Sequence, residues 1–128
     1  MIKAYLASIS TQYEGEAIEA RYRIFNDGNL IINKSLMLDY IKPVLVGHAT
    51  LDRLLEELED YNDQEIKIYI NDGALFESVN GTSGTKNHEL LRMAKETRKE
   101  LDKFHDLEII NVNGNHEQLT EWNEILKP

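Results

Sequence analysis

The hydrophobic pattern changes period five times along the chain, and each change marks a new kind of element. Residues 2–10 (IKAYLASIS) read as a first strand. In 16–26, Ile18, Ala20, Tyr22 and Ile24 fall on one side and Glu19, Arg21 and Arg23 on the other. That two-residue period belongs to a half-buried strand. Asn26-Asp27-Gly28-Asn29 is a hairpin signal, because Asp-Gly tolerates the positive φ angles of a tight turn. Residues 30–41 continue as a third strand, with Leu30, Ile32, Leu36 and Leu38 predicted on one face.

The period then becomes helical. Pro43 suits a first helical turn, where its missing N–H costs nothing. Leu51, Leu54, Leu55 and Leu58 follow at the spacing of an amphipathic helix. The acids between them are predicted to face water, and residues 61–65 (YNDQE) end the helix. Residues 66–71 (IKIYIN) form a fourth strand bounded by Asp72-Gly73, and Ala74 to Val79 supply a helical turn or two. The composition of 80–85 is that of a loop. A second long helix is predicted over 87–104, with Leu90, Ala94, Leu101 and Phe104 inward. Residues 107–112 (LEIINV) are nearly continuous in apolar character, as a buried parallel strand would be. Residues 119–127 close the chain as a short helix carrying Leu119, Trp122, Ile125 and Leu126. The order βββαβαβα predicts an α/β protein, a five-stranded mixed sheet flanked by helices.

Composition narrows the class. The chain has 128 residues, 41% hydrophobic and 29% charged, which suits one domain over 1–128 with its own core. It has no cysteine, which excludes disulfides and thiolate metal sites. No apolar run approaches the length of a membrane span, and residues 1–6 show no signal-peptide core, so a cytoplasmic protein is expected.

The net charge of −9 is unevenly spread. Residues 51–65 set Arg53 against Asp52, Glu56, Glu57, Glu59, Asp60, Asp63 and Glu65. Residues 86–103 are the only net-basic stretch, with Lys86, Arg92, Lys95, Arg98, Lys99 and Lys103 against four acids. A uniform acidic coat would exclude nucleic-acid binding, which is carried by Lys and Arg. This distribution leaves room for a weak, one-sided contact.

Element order and local sequence together resemble the ribonuclease H-like fold of the ribonuclease HI type. The strand from Ile66 to Asn71 running into Asp72-Gly73-Ala74-Leu75-Phe76 is similar to that family's fourth strand, which ends in an aspartate. Residues 110–116 (INVNGNH) are similar to its last strand and histidine-bearing loop. Trp122-Asn123-Glu124-Ile125-Leu126 stands where it has a terminal helix. The resemblance implies a site of four carboxylates that hold two Mg²⁺ ions, activating water and stabilising a leaving oxygen.

Measured against that pattern, Asp72 is the one secure match. Ala7 or Ser8 stands where the first-strand aspartate belongs, His48 where the first-helix glutamate is expected, and Asn123 where the terminal-helix aspartate is expected. Asp52 lies one turn beyond His48, and Glu121 and Glu124 flank Asn123. His116 matches the loop histidine that would shuttle a proton. Each has a plainer reading. An aspartate before glycine commonly caps a helix. His48 reads as a surface or helix-entry histidine, His116 as a loop residue, and Trp122 as a core anchor. One carboxylate in four lacks the charge to hold Mg²⁺, so no resident metal is expected, with Asp72 the ligand if there is one, and hybrid cleavage is expected to be absent or very weak.

Two other motifs carry little. Gly114-Asn115-His116-Glu117 is the tetrapeptide of metallophosphoesterases, but no Asp-x-His or Gly-Asp accompanies it. Gly81-Thr82-Ser83-Gly84-Thr85-Lys86 lacks the order and spacing of a P-loop.

Two readings of function follow. The first is a catalytically degenerate, non-cleaving ribonuclease H-like protein. It would bind nucleic acid weakly through Lys86, Arg92, Lys95 and Lys99, the last three sharing one helix face, and would suit a bacterial or mobile-element accessory protein. The second is an acidic interaction module, with the charge to imitate a nucleic-acid backbone, whose 52–65 face meets a basic protein. A residual Mg²⁺-dependent nuclease combining Asp72 with Asp52, Glu121 or Glu124 ranks below both.

Overall fold

The structure, a computed structural model, describes residues 1–10 and 15–128. Three strands come first: β1 (Ile2–Ile9), β2 (Ile18–Asn26) and β3 (Asn29–Leu38). Helix α1 (Pro43–Leu58) and a single 3₁₀ turn (Glu59–Tyr61) lead to β4 (Glu65–Ile70). Then follow α2 (Gly73–Asn80), α3 (His88–Leu101), β5 (Asp106–Asn111) and α4 (His116–Ile125). The strands form one sheet in the order β3-β2-β1-β4-β5. The first three pair antiparallel, while β4 runs parallel to both β1 and β5. This is the five-stranded mixed sheet that the order of elements implied.

The local rules hold at the ends of elements. Asp27 (φ 49°) and Gly28 (φ 85°) occupy the left-handed region, making the two-residue hairpin turn. Pro43 opens α1. Asp72, Asn87 and Asn115 cap α2, α3 and α4, each accepting a hydrogen bond from the backbone N–H three residues on. Gly81 (φ 75°) ends α2, where Thr82 N–H returns to the Glu77 carbonyl.

The main core lies between the sheet and α1. Ile2, Ala4, Leu6, Tyr22, Ile24, Ile66, Ile68 and Ile70 meet Leu51, Leu54, Leu55 and Leu58. Full burial of each leucine contributes about 1.5–3 kcal/mol, so α1 is the main apolar clamp on the sheet. The opposite face carries a smaller cluster of Tyr5, Ala7 and Leu126, with Phe25, Tyr69, Trp122 and Ile125 packed around it. Helix α4 covers that face. Trp122 donates its Nε1–H to the Leu6 carbonyl (3.1 Å), and Arg21 and Arg23 donate to the carbonyls of Leu126, Ile125 and Lys127 at the helix end.

Several expectations are corrected. Leu30 is turned off the core face and is exposed, because a register shift lets Ile24 pair with Ile32 and Phe25 with Leu30, leaving Ile31 as an extra residue. Strand β5 is the sheet's outer parallel strand and is half-exposed, so its apolar run covers an edge and not a buried centre. His48 is buried in the interior. Asp52 does not simply face water, since the Thr97 hydroxyl donates to it (2.9 Å). Among the described residues, no helix is long and apolar enough to cross a membrane.

Candidate functional site

Parallel neighbours β1 and β4 end side by side, and α1 crosses above them. Ligands in open α/β sheets commonly bind at the carboxyl ends of parallel strands. Here Ser8 comes from β1, Asp72 from the residue pair after β4, and Gly47 and Thr50 from α1. Asp72 lines two small cavities. One, of about 60 Å³, is bounded by Leu6, Ser8, Ile70, Asn71, Leu75 and Trp122. The other, of about 140 Å³, reaches from Pro43 and Val44 past Gly47 and His48 to Ser78 and Leu90.

The hydrogen bonds order this cleft. Thr50 is fully buried and donates to the Gly47 carbonyl (3.0 Å), so the Ser8 hydroxyl donates to Thr50 Oγ1. Asp72 Oδ1 accepts from Leu75 N–H (3.0 Å), which caps α2. A side chain at Gly47 would begin 3.0 Å from Asp72 Oδ2 and 3.3 Å from Leu75 Cβ. Glycine is what lets α1 approach the aspartate so closely.

The predicted positions separate on the two sides of the sheet. Ala7 belongs to the cluster under α4, while its neighbour Ser8 faces α1 and the cleft. Gly47 stands directly against the Asp72 carboxylate, while His48, one residue on, turns toward α2 and α3. Asn123 is exposed on α4, and Trp122 is the residue of that helix that borders the cleft. Glu121 is engaged elsewhere, accepting the Tyr5 hydroxyl (2.8 Å). His116 is exposed in the first turn of α4. Among the described residues, the cleft thus contains Ser8, Gly47, Thr50 and Asp72, of which only Asp72 carries charge.

That donor set does not suit a pair of divalent cations. Mg²⁺ is held by carboxylate oxygens that neutralise it, and one carboxylate already committed to a helix cap supplies too little. Among the described residues, no three His, Asp or Glu side chains gather as a metal ion would require.

A second polar group, missed in the sequence, lies behind His48. The ring is 1% exposed. Its Nε2 is 2.8 Å from Ser78 Oγ and its Nδ1 is 3.0 Å from Thr97 Oγ1. Thr97 spends its only hydroxyl proton on Asp52, so it accepts from His48 Nδ1–H. Nε2 then accepts from Ser78. The imidazole is neutral, and burial, followed by the nearby Arg98 charge, holds its pKa below the ordinary histidine value despite an opposing pull from Asp72. Burial pushes the Asp52 carboxyl up to about 6, helped by Glu100, Glu56 and Glu96 and opposed by the Thr97 hydrogen bond. The signal in the sequence was the i, i+4 spacing of His48 and Asp52, which sets both on one flank of α1.

The basic residues of α3 sit at the surface. Arg92, Lys95 and Lys99 are exposed, as is Lys86 in the preceding loop. Lys99 pairs loosely with Glu96 (3.4 Å), and Arg98 turns inward to donate to the Ser78 carbonyl (2.9 Å). Lys95, Arg98 and Lys99 rim a groove of about 510 Å³ floored by Val79, Leu101, Leu107 and Ile109.

No family model matches the chain, and no curated protein matches it in sequence. Solved structures do match. The ribonuclease H1 of the halophilic archaeon Halobacterium salinarum aligns with a TM-score of 0.78 at 17% identity, covering 98% of this chain and 92% of the other. The fold is that of ribonuclease H. The N-terminal ribonuclease H domain of a Mycobacterium tuberculosis protein aligns with a TM-score of 0.75 at 9% identity, over 98% and 94% of the two chains. LC11 ribonuclease H1, solved in complex with an RNA/DNA hybrid, aligns with a TM-score of 0.73 at 16% identity, over 91% and 88%. At these identities the likeness establishes the ribonuclease H-like fold and nothing about activity.

Proposed function

We propose that this chain is a catalytically degenerate ribonuclease H-like protein that binds nucleic acid weakly and does not cut it. One observation carries the reading: among the described residues, Asp72 is the only charged side chain in the cleft at the ends of β1 and β4, beside Ser8, Gly47 and Thr50. The exposed Arg92, Lys95 and Lys99 on α3, with Lys86 before it, would contact phosphates. The likeness to a ribonuclease solved with an RNA/DNA hybrid makes a hybrid the first ligand to try. Few charges contribute, so binding would be weak and would fall steeply with salt.

Two measurements test this. A labelled hybrid incubated with Mg²⁺ or Mn²⁺ is expected to stay intact; cleavage abolished by Asp72→Asn would restore the nuclease reading. A mobility shift at low salt is expected to disappear when Lys95 and Lys99 are both changed to glutamine; an unchanged shift removes α3 as the contact.

The acidic alternative keeps one supporting observation. Glu56, Glu59, Asp60, Asp63 and Glu65 are all exposed along the end of α1 and the turn after it. A protein that shifts no nucleic acid but binds a basic polypeptide through these residues would favour that reading.

A further inference from the structure

The two edges of the sheet are unequally protected. An edge strand offers unpaired N–H and C=O groups, which proteins usually guard with charge, shortness or cover. Strand β5 has six residues and carries Asp106 and Glu108. Strand β3 has ten residues and one charge, Lys34. That lysine is drawn onto the protein's own α1 by Glu57 (2.6 Å). Among the described residues, three of the seven exposed large apolar side chains, Leu30 (51%), Ile31 (39%) and Met37 (66%), lie on this one strand.

We propose that β3 pairs with β3 of a second copy of this chain, edge to edge and antiparallel, joining two five-stranded sheets into one of ten strands. The strand is self-complementary in one register. A two-fold axis perpendicular to the sheet keeps front residues in front, so the axis must pass through a residue or skip by two. Centring it on Lys34 sets Ile32 opposite Leu36, Asn33 opposite Ser35, and the bulged Ile31 opposite Met37. Centring it on Asn33 would place Ile32 against Lys34, and centring it on Ser35 would place Leu36 against Lys34. Only the Lys34 register matches apolar with apolar and polar with polar on both faces.

Lys34 meets its own mate on that axis. Each lysine arrives with its Glu57, so the two ion pairs stand together as four alternating charges. The charge balance also gives the contact a signature. Two copies each carrying −9 repel at long range, so association strengthens as salt rises. Phosphate contacts show the opposite dependence.

A single strand pair buries less than the roughly 1,200 Å² of a standard interface, so the dimer is weak and is sought up to roughly 1 mM chain. Sedimentation equilibrium of the full chain is expected to show the mass rising from 14.8 kDa toward twice that value with concentration, more readily in high salt. The double variant Ile31→Lys with Met37→Lys changes only exposed side chains. It is expected to keep the circular dichroism spectrum and weaken association at least about tenfold, as two lost apolar pairs and added repulsion require. A chain that stays monomeric throughout overturns the proposal, as does a dimer indifferent to that variant. A dimer lost instead on changing Val44 and Leu91, the exposed apolar residues of α1 and α3, to lysine would place the contact on the helices and equally overturn it.

Discussion

The two flanks of α1 use polar residues in opposite ways. Toward β1 and α2, Gly47 and Thr50 meet Ser8 and Asp72 in a cleft with space left in it. Toward α3, His48 and Asp52 join Ser78 and Thr97 in a closed chain in which each ring nitrogen and each hydroxyl has a partner. The first flank lies at the carboxyl ends of parallel strands, where open sheets commonly bind ligands, and among the described residues it holds one charge, Asp72. The second borders the 140 Å³ cavity only through His48 and Ser78, and its groups are fully matched. A buried polar network is costly when one member is lost, because the partners stay buried and unpaired. A polar cleft near solvent is forgiving. Sensitivity to mutation should therefore be high behind His48 and low around Asp72, the reverse of what a working nuclease site would show in activity.

The largest effect is expected for His48→Ala. It removes two hydrogen bonds, strands Ser78 and Thr97, and leaves a cavity, which together cost about 3 kcal/mol. Urea denaturation measures this directly, and a loss below about 1 kcal/mol would mean the network is not structural. Next comes Asp72. Asp72→Ala should cost about 1 kcal/mol by removing the α2 cap, whereas Asp72→Asn should change stability by only a few tenths of a kcal/mol, because asparagine caps as well. If the two variants were equally damaging, the carboxylate itself would have a role beyond capping.

Asp52→Asn should act in the other direction. The folded Asp52 pKa, at about 6, lies above the ordinary aspartate value, so the native state holds a proton that the unfolded chain has released. Its contribution is complete below about pH 4 and is lost as pH rises through 6. Asparagine keeps an acceptor for Thr97 without the charge. The variant is expected to match the wild type in acid and to exceed it above pH 6 by at most about 1 kcal/mol, after allowance for the group's partial exposure. His48 opposes this trend. Its folded pKa is lowered, so its contribution is present above the unfolded value near 6.5 and is lost as pH falls below it. In His48→Gln that acid-side loss should vanish from the stability-versus-pH curve.

The smallest effect belongs to the cleft. Ser8→Ala combined with Thr50→Val replaces both partners of one hydrogen bond with apolar groups of similar shape. The change in thermal midpoint should correspond to less than about 1 kcal/mol. A larger loss would move the cleft into the same class as the network behind His48.

Much of the architecture was legible in the sequence because it rests on local rules. The alternation from Ile18 to Ile24, the Asp27-Gly28 turn and the leucine spacing of α1 each follow from one element's own period. Non-local facts were not legible. That Ser8 and not Ala7 faces Asp72 depends on which side of β1 the helix α1 covers. That Gly47 and not His48 meets the carboxylate depends on a one-residue rotation of α1, about 100° around its axis. Strand β5 read as buried because its apolar run fits both a fully covered strand and an edge partly covered by helices. The His48–Asp52 spacing was visible, but Ser78 and Thr97 lie in other helices, and only the packing of α1, α2 and α3 brings them together.

Helix α4 has no fully buried residue of its own between its ends, yet it closes the second face of the sheet. Its attachment is concentrated in Trp122 and in the two β2 guanidinium groups that hold its final carbonyls. These partners lie more than a hundred positions apart along the chain, so docking the helix closes a long loop and is entropically costly. It can also undock without disturbing the leucine core beneath α1. In hydrogen exchange its amides should open as a separate, less protected unit. Each such opening would expose the stacked rings of Tyr5 and Tyr69, whose centroids lie 4.8 Å apart, while the rest of the molecule stays folded.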